Sequence, residues 1–324
     1  MQRKRGSLKS TITRISSFFA NHLEFSHDYS VKIPDRYPFD RAAAPAEPVR
    51  SIPGILPARR TVNAVASSQD AVNRRVYHQA GVEKVYQSRN LQRIETIALL
   101  RHQPLFAGKD VLDVGVGTGR TTAYLEPLCA RYEGIDYSPV MVQHMHAAWP
   151  AISVRLSDMR ELADFADAVF DFVFAPNNVL DAVGHDDRLR ALGEFRRVLR
   201  PAGTLMFASH NRAYRRALDG PRLGFSRNPV RQCLFLAEFL RQWGNHLRVK
   251  SLRAQMPEYA LLNDSGHDYA CLHYYIGQSE QRRQLAAMGY AVIDVLDEEG
   301  HPLGAGEAAG DSAHLMYVAR VAPH

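Results

Sequence analysis

The segment that most restricts this chain is Asp110–Arg120, D-V-L-D-V-G-V-G-T-G-R. An apolar run leads directly into glycines at alternate positions, Gly115, Gly117 and Gly119, and then into a helical pattern. Glycine tolerates positive φ and lets backbone approach a ligand closely. The helix start that follows offers unpaired N–H groups and the positive end of a dipole. The next strand-like run ends 21 residues after Gly115 in Asp136, placed to accept hydrogen bonds from ribose hydroxyls. Strand, glycine turn, helix and acid-terminated strand together predict a nucleotide-binding α/β unit.

The surrounding pattern extends that unit. Strand-like runs at Asp110–Val114, Tyr132–Asp136, Ser153–Leu156, Val169–Phe174 and Thr204–Ser209 alternate with helical patterns near Thr121–Ala130, Val140–Trp149 and Arg188–Leu199. Such alternation is the mark of a parallel sheet covered by helices. A helical stretch over Ser67–His102, interrupted at Gly81, precedes it. Residues 212–257 break the alternation as a basic helical insertion, with Leu234, Phe235, Leu236, Phe239, Leu240 and Trp243 as its apolar face. Glu258–Asn263 and Tyr269–Ile276 then read as a hairpin, followed by a helix at Ser279–Met288 and strands at Ala291–Leu296 and His314–Val321. The predicted division is an extension at 1–60 and a main domain at 61–324. Within that domain we place a helical lid at 67–103, a core at 108–211, a cap at 212–277 and a C-terminal helix and strand pair at 278–322.

The glycine spacing decides between nucleotides. A dinucleotide fingerprint needs G-x-G-x-x-G to cradle a pyrophosphate. Here the third glycine comes one position early, and Arg120 stands where the last glycine of that fingerprint would be. Asp113, two residues before the first glycine, repels phosphate but suits a cationic ligand, such as an α-amino group beside a sulfonium. The pattern resembles motif I of the class I S-adenosylmethionine (SAM)-dependent methyltransferases, D-x-G-x-G-x-G. The resemblance covers about residues 85–210, with the final strand pair matched by topology only.

That resemblance implies a seven-stranded, mostly parallel Rossmann-like α/β sheet with helices on both faces, the last strand antiparallel, and here a helical and hairpin cap. It implies SAM as cofactor and S-adenosylhomocysteine as product, with no metal expected. Asp113, Gly115, Gly117, Thr118 and Gly119 would form the cofactor turn. Asp136 in G-I-D-Y-S-P would bind ribose, and Tyr137 would pack on adenine. Asp158 in L-S-D-M would hold the adenine amino group, with Met159 as a packing contact. Asn177 in Ala175-Pro176-Asn177-Asn178 would run under the methionine part. Leu199-Arg200-Pro201-Ala202-Gly203 matches the family's L-x-P-G-G turn except for Ala202.

Methyl transfer is an in-line displacement in which charge disappears, so the protein mainly positions groups and excludes water. A general base matters only when the acceptor must lose a proton. His210, after the fifth strand, is the leading candidate, and His185, after the fourth, is the second. Both sit where open α/β sheets bind ligands. Tyr86 is a candidate lid residue. Tyr269, His273, Tyr274 and Tyr275 are candidates for the wall of an acceptor pocket. Amino-methylation of adenine or glutamine is unsupported, because no N/D-P-P-Y motif follows the fourth strand. A thiolate mechanism lacks its cysteine there. His144 and His146 face different sides of a helix, which argues against a metal pair. Asp186 and Asp187 read as helix-start acids.

Charge narrows the partners. The formal net charge of the chain is +6, and residues 1–60 supply all of it, with 11 Lys/Arg against 5 Asp/Glu. The remaining 264 residues balance to zero, so no basic stripe marks the body for nucleic acid. Three scattered cysteines fit a reducing compartment. No run reaches the ~20 apolar residues of a bilayer span. The expected protein is a cytoplasmic methyltransferase acting on an oxygen or nitrogen of a small-molecule acceptor. Residues 1–23, acid-free with five basic side chains, leave open a mitochondrial presequence or a contact with a membrane or partner. RNA or protein methylation through the basic tail, SAM binding without turnover, and an NAD-linked oxidoreductase remain as alternatives.

Overall fold

The alternating pattern becomes a single mixed sheet. The computed structural model describes residues 69–79, 82–83 and 90–323, all belonging to one compact unit. The N-terminal extension and Tyr86 lie outside the described residues. Helix α1 covers residues 69–77 and α2 covers Arg93–Arg101. Of the long helical stretch predicted across 67–102, these two pieces are described.

The core follows as β1 (Asp110–Val114), α3 (Thr122–Leu125), β2 (Arg131–Asp136), α4 (Pro139–Ala148), β3 (Val154–Leu156), β4 (Phe170–Ala175), α5 (His185–Val198) and β5 (Leu199–Asn211). The insertion contributes α6 (Pro229–Lys250), β6 (Ala254–Gln255), β7 (Tyr259–Leu262) and β8 (His273–Ile276). The chain closes with α7 (Gln278–Ala287), β9 (Tyr290–Leu296) and β10 (His314–Val321).

Seven of the ten strands form the expected sheet. β3, β2, β1, β4 and β5 lie side by side and parallel, and β10 pairs antiparallel with both β5 and β9. The other three strands extend it. The last residues of β5, His210 and Asn211, run past the end of β4 and pair with Tyr275 and Ile276 of β8, which carries the hairpin partner β7. The predicted hairpin therefore continues the sheet.

Strand alternation builds a core on each face. Leu112, Val173, Leu205 and Tyr317 meet Leu192, Phe195 and Leu285 from α5 and α7. Val111, Phe172, Met206 and Val318 meet Ile94, Ala98 and Leu99 from α2. Sequence continuity is short and connections are parallel, so the carboxyl ends of β1, β2, β4 and β5 share one edge. No helix among the described residues is long and apolar enough to cross a membrane.

Two local expectations need revision. Of the apolar face read for the insertion, Leu234, Leu236, Leu240 and Trp243 of α6 are exposed, and only Phe235 and Phe239 turn partly inward. The turn before the fifth strand is folded into β5, and Ala202, standing where the family has glycine, sits at φ 62°. An L-residue in that region costs roughly 1–2 kcal/mol, partly offset by the lower unfolded-state entropy of alanine. We expect Ala202→Gly to stabilise the fold by about 0.5–1 kcal/mol in urea titration; an unchanged or lowered midpoint would show that the turn carries no strain.

Candidate active site

At the shared strand edge a cavity of about 340 Å³ opens between the glycine turn, β2, the loop after β4 and α1. The three glycines have separate tasks. Gly117 is at φ 55°, and a Cβ placed on it would meet only the Gly115 carbonyl oxygen, at 4.0 Å. Its bare backbone therefore faces open cavity, as a close-approaching ligand requires. A Cβ on Gly115 would strike Val179 in the loop after β4, and one on Gly119 would fall 2.7 Å from Trp149 Nε1. Gly119 does not line the cavity, and its missing side chain lets the turn settle on α4.

Asp136 ends β2 at the cavity wall, nearly buried. Its carboxylate accepts from the Gly117 N–H at 3.0 Å and the Ser138 N–H at 2.8 Å, so it shapes the glycine turn while facing the ligand space. Burial pushes its pKa up to about 6 despite those amide donors. Thr118, Tyr137, Met159 and Asn177 also line the cavity. Tyr137 is overlaid by the Arg74 guanidinium, 5.7 Å from the ring centroid, and its ring centroid lies 6.0 Å from that of Tyr77.

Two predicted acids stand differently. Asp113 shares its strand face with the α2-side core, so its carboxylate points behind the turn and does not border the cavity. The Thr121 hydroxyl donates to it at 2.6 Å and the Tyr132 hydroxyl at 2.7 Å, leaving Oδ1 without a partner. Burial lifts its pKa to about 6. Asp158 lines the cavity, but the Arg160 amide, two Arg160 guanidinium nitrogens and Arg74 already supply four donors to its oxygens. Burial works against its charge, and these arginines outweigh burial to hold its pKa below the usual value. A carboxylate offers about four lone-pair sites, so an adenine amino group would have to displace Arg74. The adenine role that the resemblance implies for Asp158 therefore depends on that displacement.

A second cavity, about 640 Å³, adjoins the first, and Tyr77, Gln92 and Asn177 border both. His210 lines it from the end of β5. The His210 Nδ1 lies 2.8 Å from Asp181 Oδ2, and its backbone N–H donates to the same oxygen at 2.6 Å. Asp181 is fully buried in an ion pair with Arg188, and the Ser209 hydroxyl donates to it at 2.8 Å. Burial alone would raise its pKa, but the Arg188 charge and the His210 bonds hold it down. An ionised Asp181 keeps the proton of neutral His210 on Nδ1 and leaves Nε2 as a lone pair.

His273 and Asp264 of the insertion complete this wall. Asp264 accepts from His273 Nδ1 at 2.9 Å and from the Tyr275 hydroxyl at 2.6 Å. Despite burial its pKa is held well below the carboxylate range, chiefly by His273, whose own pKa Asp264 raises. Asp264 Oδ2 lies 3.6 Å from His210 Nε2. The candidate ligand atoms of His210, Asp264 and His273 lie within 4.8 Å of one another. The two imidazoles, however, are stacked 15° apart with centroids 5.0 Å apart. Asp264 bonds His273 and Tyr275, while His210 is held by Asp181.

His185 is not in either wall. It begins α5, its ring stacks on Tyr259 at 4.5 Å, and its Nδ1 lies 2.8 Å from the Tyr274 hydroxyl. Burial lowers its pKa. Tyr274 is enclosed with it, whereas Tyr269, His273 and Tyr275 do line the second cavity. Sequence reading missed Asp181, Asp264, Arg160 and Gln92. The one local signal was Asp181 itself, a lone acid inside the apolar run Val179–Val183, which needs a buried partner.

Comparison with known proteins bears on the core of the fold. Residues 112–207 match the family model described as a methyltransferase domain. That segment is a class I SAM-dependent methyltransferase domain. It is 32% identical over 106 residues to a probable SAM-dependent methyltransferase of Mycolicibacterium smegmatis, covering 33% of this chain and 40% of that protein. It is 31% identical over 119 residues to malonyl-[acyl-carrier protein] O-methyltransferase of Pectobacterium atrosepticum, covering 37% and 46%. The matches thus span less than half the length of these curated relatives. The crystallised CcbJ methyltransferase of Streptomyces caelestis shares the fold, with a TM-score of 0.51 at 19% identity over 76% of this chain and 98% of that one.

The residues of the first cavity fit the cofactor of this family: bare backbone at Gly117, the acid Asp136 on the wall and the aromatic Tyr137 beside it. Asp136→Ala should weaken SAM binding by about 1–3 kcal/mol in calorimetric titration. For the unaltered chain, affinity should fall as pH drops through about 6, because ribose hydroxyls donate to the ionised form of Asp136; pH-independent affinity would remove this contact. Asp181→Ala strands the Arg188 charge and should cost about 3–5 kcal/mol of stability in urea, and a loss under 1 kcal/mol would show that the pair is not a structural centre.

Proposed function

We propose that this protein transfers the methyl group of SAM to an oxygen or nitrogen of a small molecule held in the second cavity, with His210 as general base. The observation that carries the reading is the Asp181–His210 dyad, whose Nε2 faces the cavity that adjoins the cofactor site. SAM, when bound, supplies an electrophilic methyl group on a sulfonium. Gly117 and Asp136 hold the cofactor in place, and Tyr77, Gln92 and Asn177 stand between the two ligand spaces.

The histidine geometry favours an acceptor that must lose a proton. Asp181 fixes the imidazole with Nε2 unprotonated, so an acceptor O–H or N–H can donate to it. As Nε2 takes the proton, Asp264, 3.6 Å away, and Asp181 behind it stabilise the imidazolium. The insertion and the end of β5 wall one side of this cavity, whose size supports a small acceptor. Arg216 and Arg222 at its border share one counter-ion, Asp219, at 3.1 and 2.7 Å. Two guanidinium groups against one carboxylate leave positive charge at the mouth, which suits an acceptor bearing an acidic group.

The variant His210→Gln tests the base. It should leave SAM affinity within about twofold and lower turnover by roughly 10²–10⁴-fold, as loss of a positioned base does. The acceptor screen should pair each phenol or hydroxy acid with its O-methyl ether as a control. Turnover that survives in His210→Gln would assign the histidine to positioning alone.

A further inference from the structure

The insertion between β5 and α7 carries most of the exposed apolar surface. Among the described residues 14 large apolar side chains are exposed, and nine of them fall between Leu218 and Leu247. On α6, Leu236, Leu240, Trp243 and Leu247 recur at spacings of four, three and four, and are 45%, 60%, 41% and 57% exposed. That spacing makes one stripe along the helix. Phe225, in the loop leading to α6, is 84% exposed. The other side of α6 is anchored, with the Asn245 amide donating to the Asp268 carbonyl at 3.1 Å and His246 and Val249 buried.

The same segment concentrates positive charge, so the zero balance of residues 61–324 conceals a basic region and revises the expectation that the body carries none. Residues 212–257 hold ten Arg/Lys against two acids, a net of +8, so the rest of 61–324 carries a net of −8. Arg227, Arg248 and Lys250 have no ion-pair partner among the described residues. At ~100° per residue, Arg248 lies about 80° to one side of Leu240 and Lys250 about 80° to the other. Cations at both borders of an apolar stripe can extend to headgroups while their stems lie along hydrocarbon.

We propose that α6, with the loop holding Phe225, docks this protein on an anionic lipid bilayer. Leu and Trp on one face with Arg and Lys beside them are the chemistry of a helix lying in the plane of an anionic interface. A second copy is disfavoured, because α6 carries four cations and one acid, and pairing it with itself sets like charges together. A folded partner needs a complementary groove, and none of the three cavities described is bordered by residues 223–250. A fluid bilayer needs no such shape. The proposal is independent of the acceptor and of turnover.

The test is co-sedimentation of the full chain with vesicles of phosphatidylcholine containing phosphatidylglycerol, against phosphatidylcholine alone. Brominated acyl chains report depth, with Trp243→Phe identifying the quenched signal, since the chain has two tryptophans. The expected result is selective binding to the anionic vesicles, quenching of Trp243, and an affinity loss of about tenfold or more in Leu236→Ser/Leu240→Ser/Leu247→Ser. These side chains are exposed, and unchanged cooperative thermal melting checks that the variant folds. Equal binding to neutral vesicles, binding with Trp243 unquenched, or no binding overturns the proposal. So does a concentration-dependent dimer in solution that the same substitutions abolish, which would give the face to a second copy.

Discussion

The Asp181–Arg188 ion pair is the interaction on which both halves of the site depend. Both side chains are fully buried, and such a pair is tolerable only when its remaining donors and acceptors are satisfied. Here they are satisfied from across the fold. Arg188 of α5 donates to Gln281 of α7 at 2.6 Å and to the Ser209 hydroxyl of β5 at 3.1 Å, and its guanidinium lies over the Tyr274 ring at 4.6 Å. Asp181 takes the Ser209 hydroxyl and both N–H groups of His210. One buried charge thus joins the loop after β4, the end of β5, the C-terminal helix and the insertion. It also fixes which nitrogen of His210 faces the second cavity, so the tautomer is a consequence of core packing.

Most of the sheet was legible because each strand is a short apolar run closed by a turn or a chemically distinctive residue. His314–Val321 matched its strand limits, and Asp110–Val114 did too. The glycine turn was legible for the same reason, since local backbone requirements leave a local trace. What was not legible depends on partners distant in sequence. Asp158 reads as a free acid until Arg74, 84 residues away, lies on it. His185 reads as poised by its place after β4, but the first turn of α5 rotates its ring against Tyr259. Asp264 reads as a turn residue in Asp264-Ser265-Gly266-His267, and only the pairing of β7 with β8 brings it to His273 and Tyr275. The apolar residues of α6 have helical spacing whether they face a core or a surface, so periodicity alone could not orient them.

The two cavities differ in how they are encoded, and α1 ties them together. The wall of the first cavity is mostly backbone and acids from contiguous motifs, whereas that of the second draws on residues from Tyr77 to His314. Asn73 of α1 accepts from the Leu272 N–H at 2.9 Å and donates to the Leu272 and Ala182 carbonyls, both at 2.7 Å. Gln69 donates to the Leu272 carbonyl at 3.0 Å. Lifting α1 off the cofactor would therefore break buried bonds to the loop after β4 and to the insertion at once. An unmet buried polar group costs about 1–3 kcal/mol, so four such bonds favour the closed arrangement strongly over a partly opened one. Helix α1 at the edge of the first cavity and the wall of the second are thus tied together by buried bonds, which keeps water from entering between them.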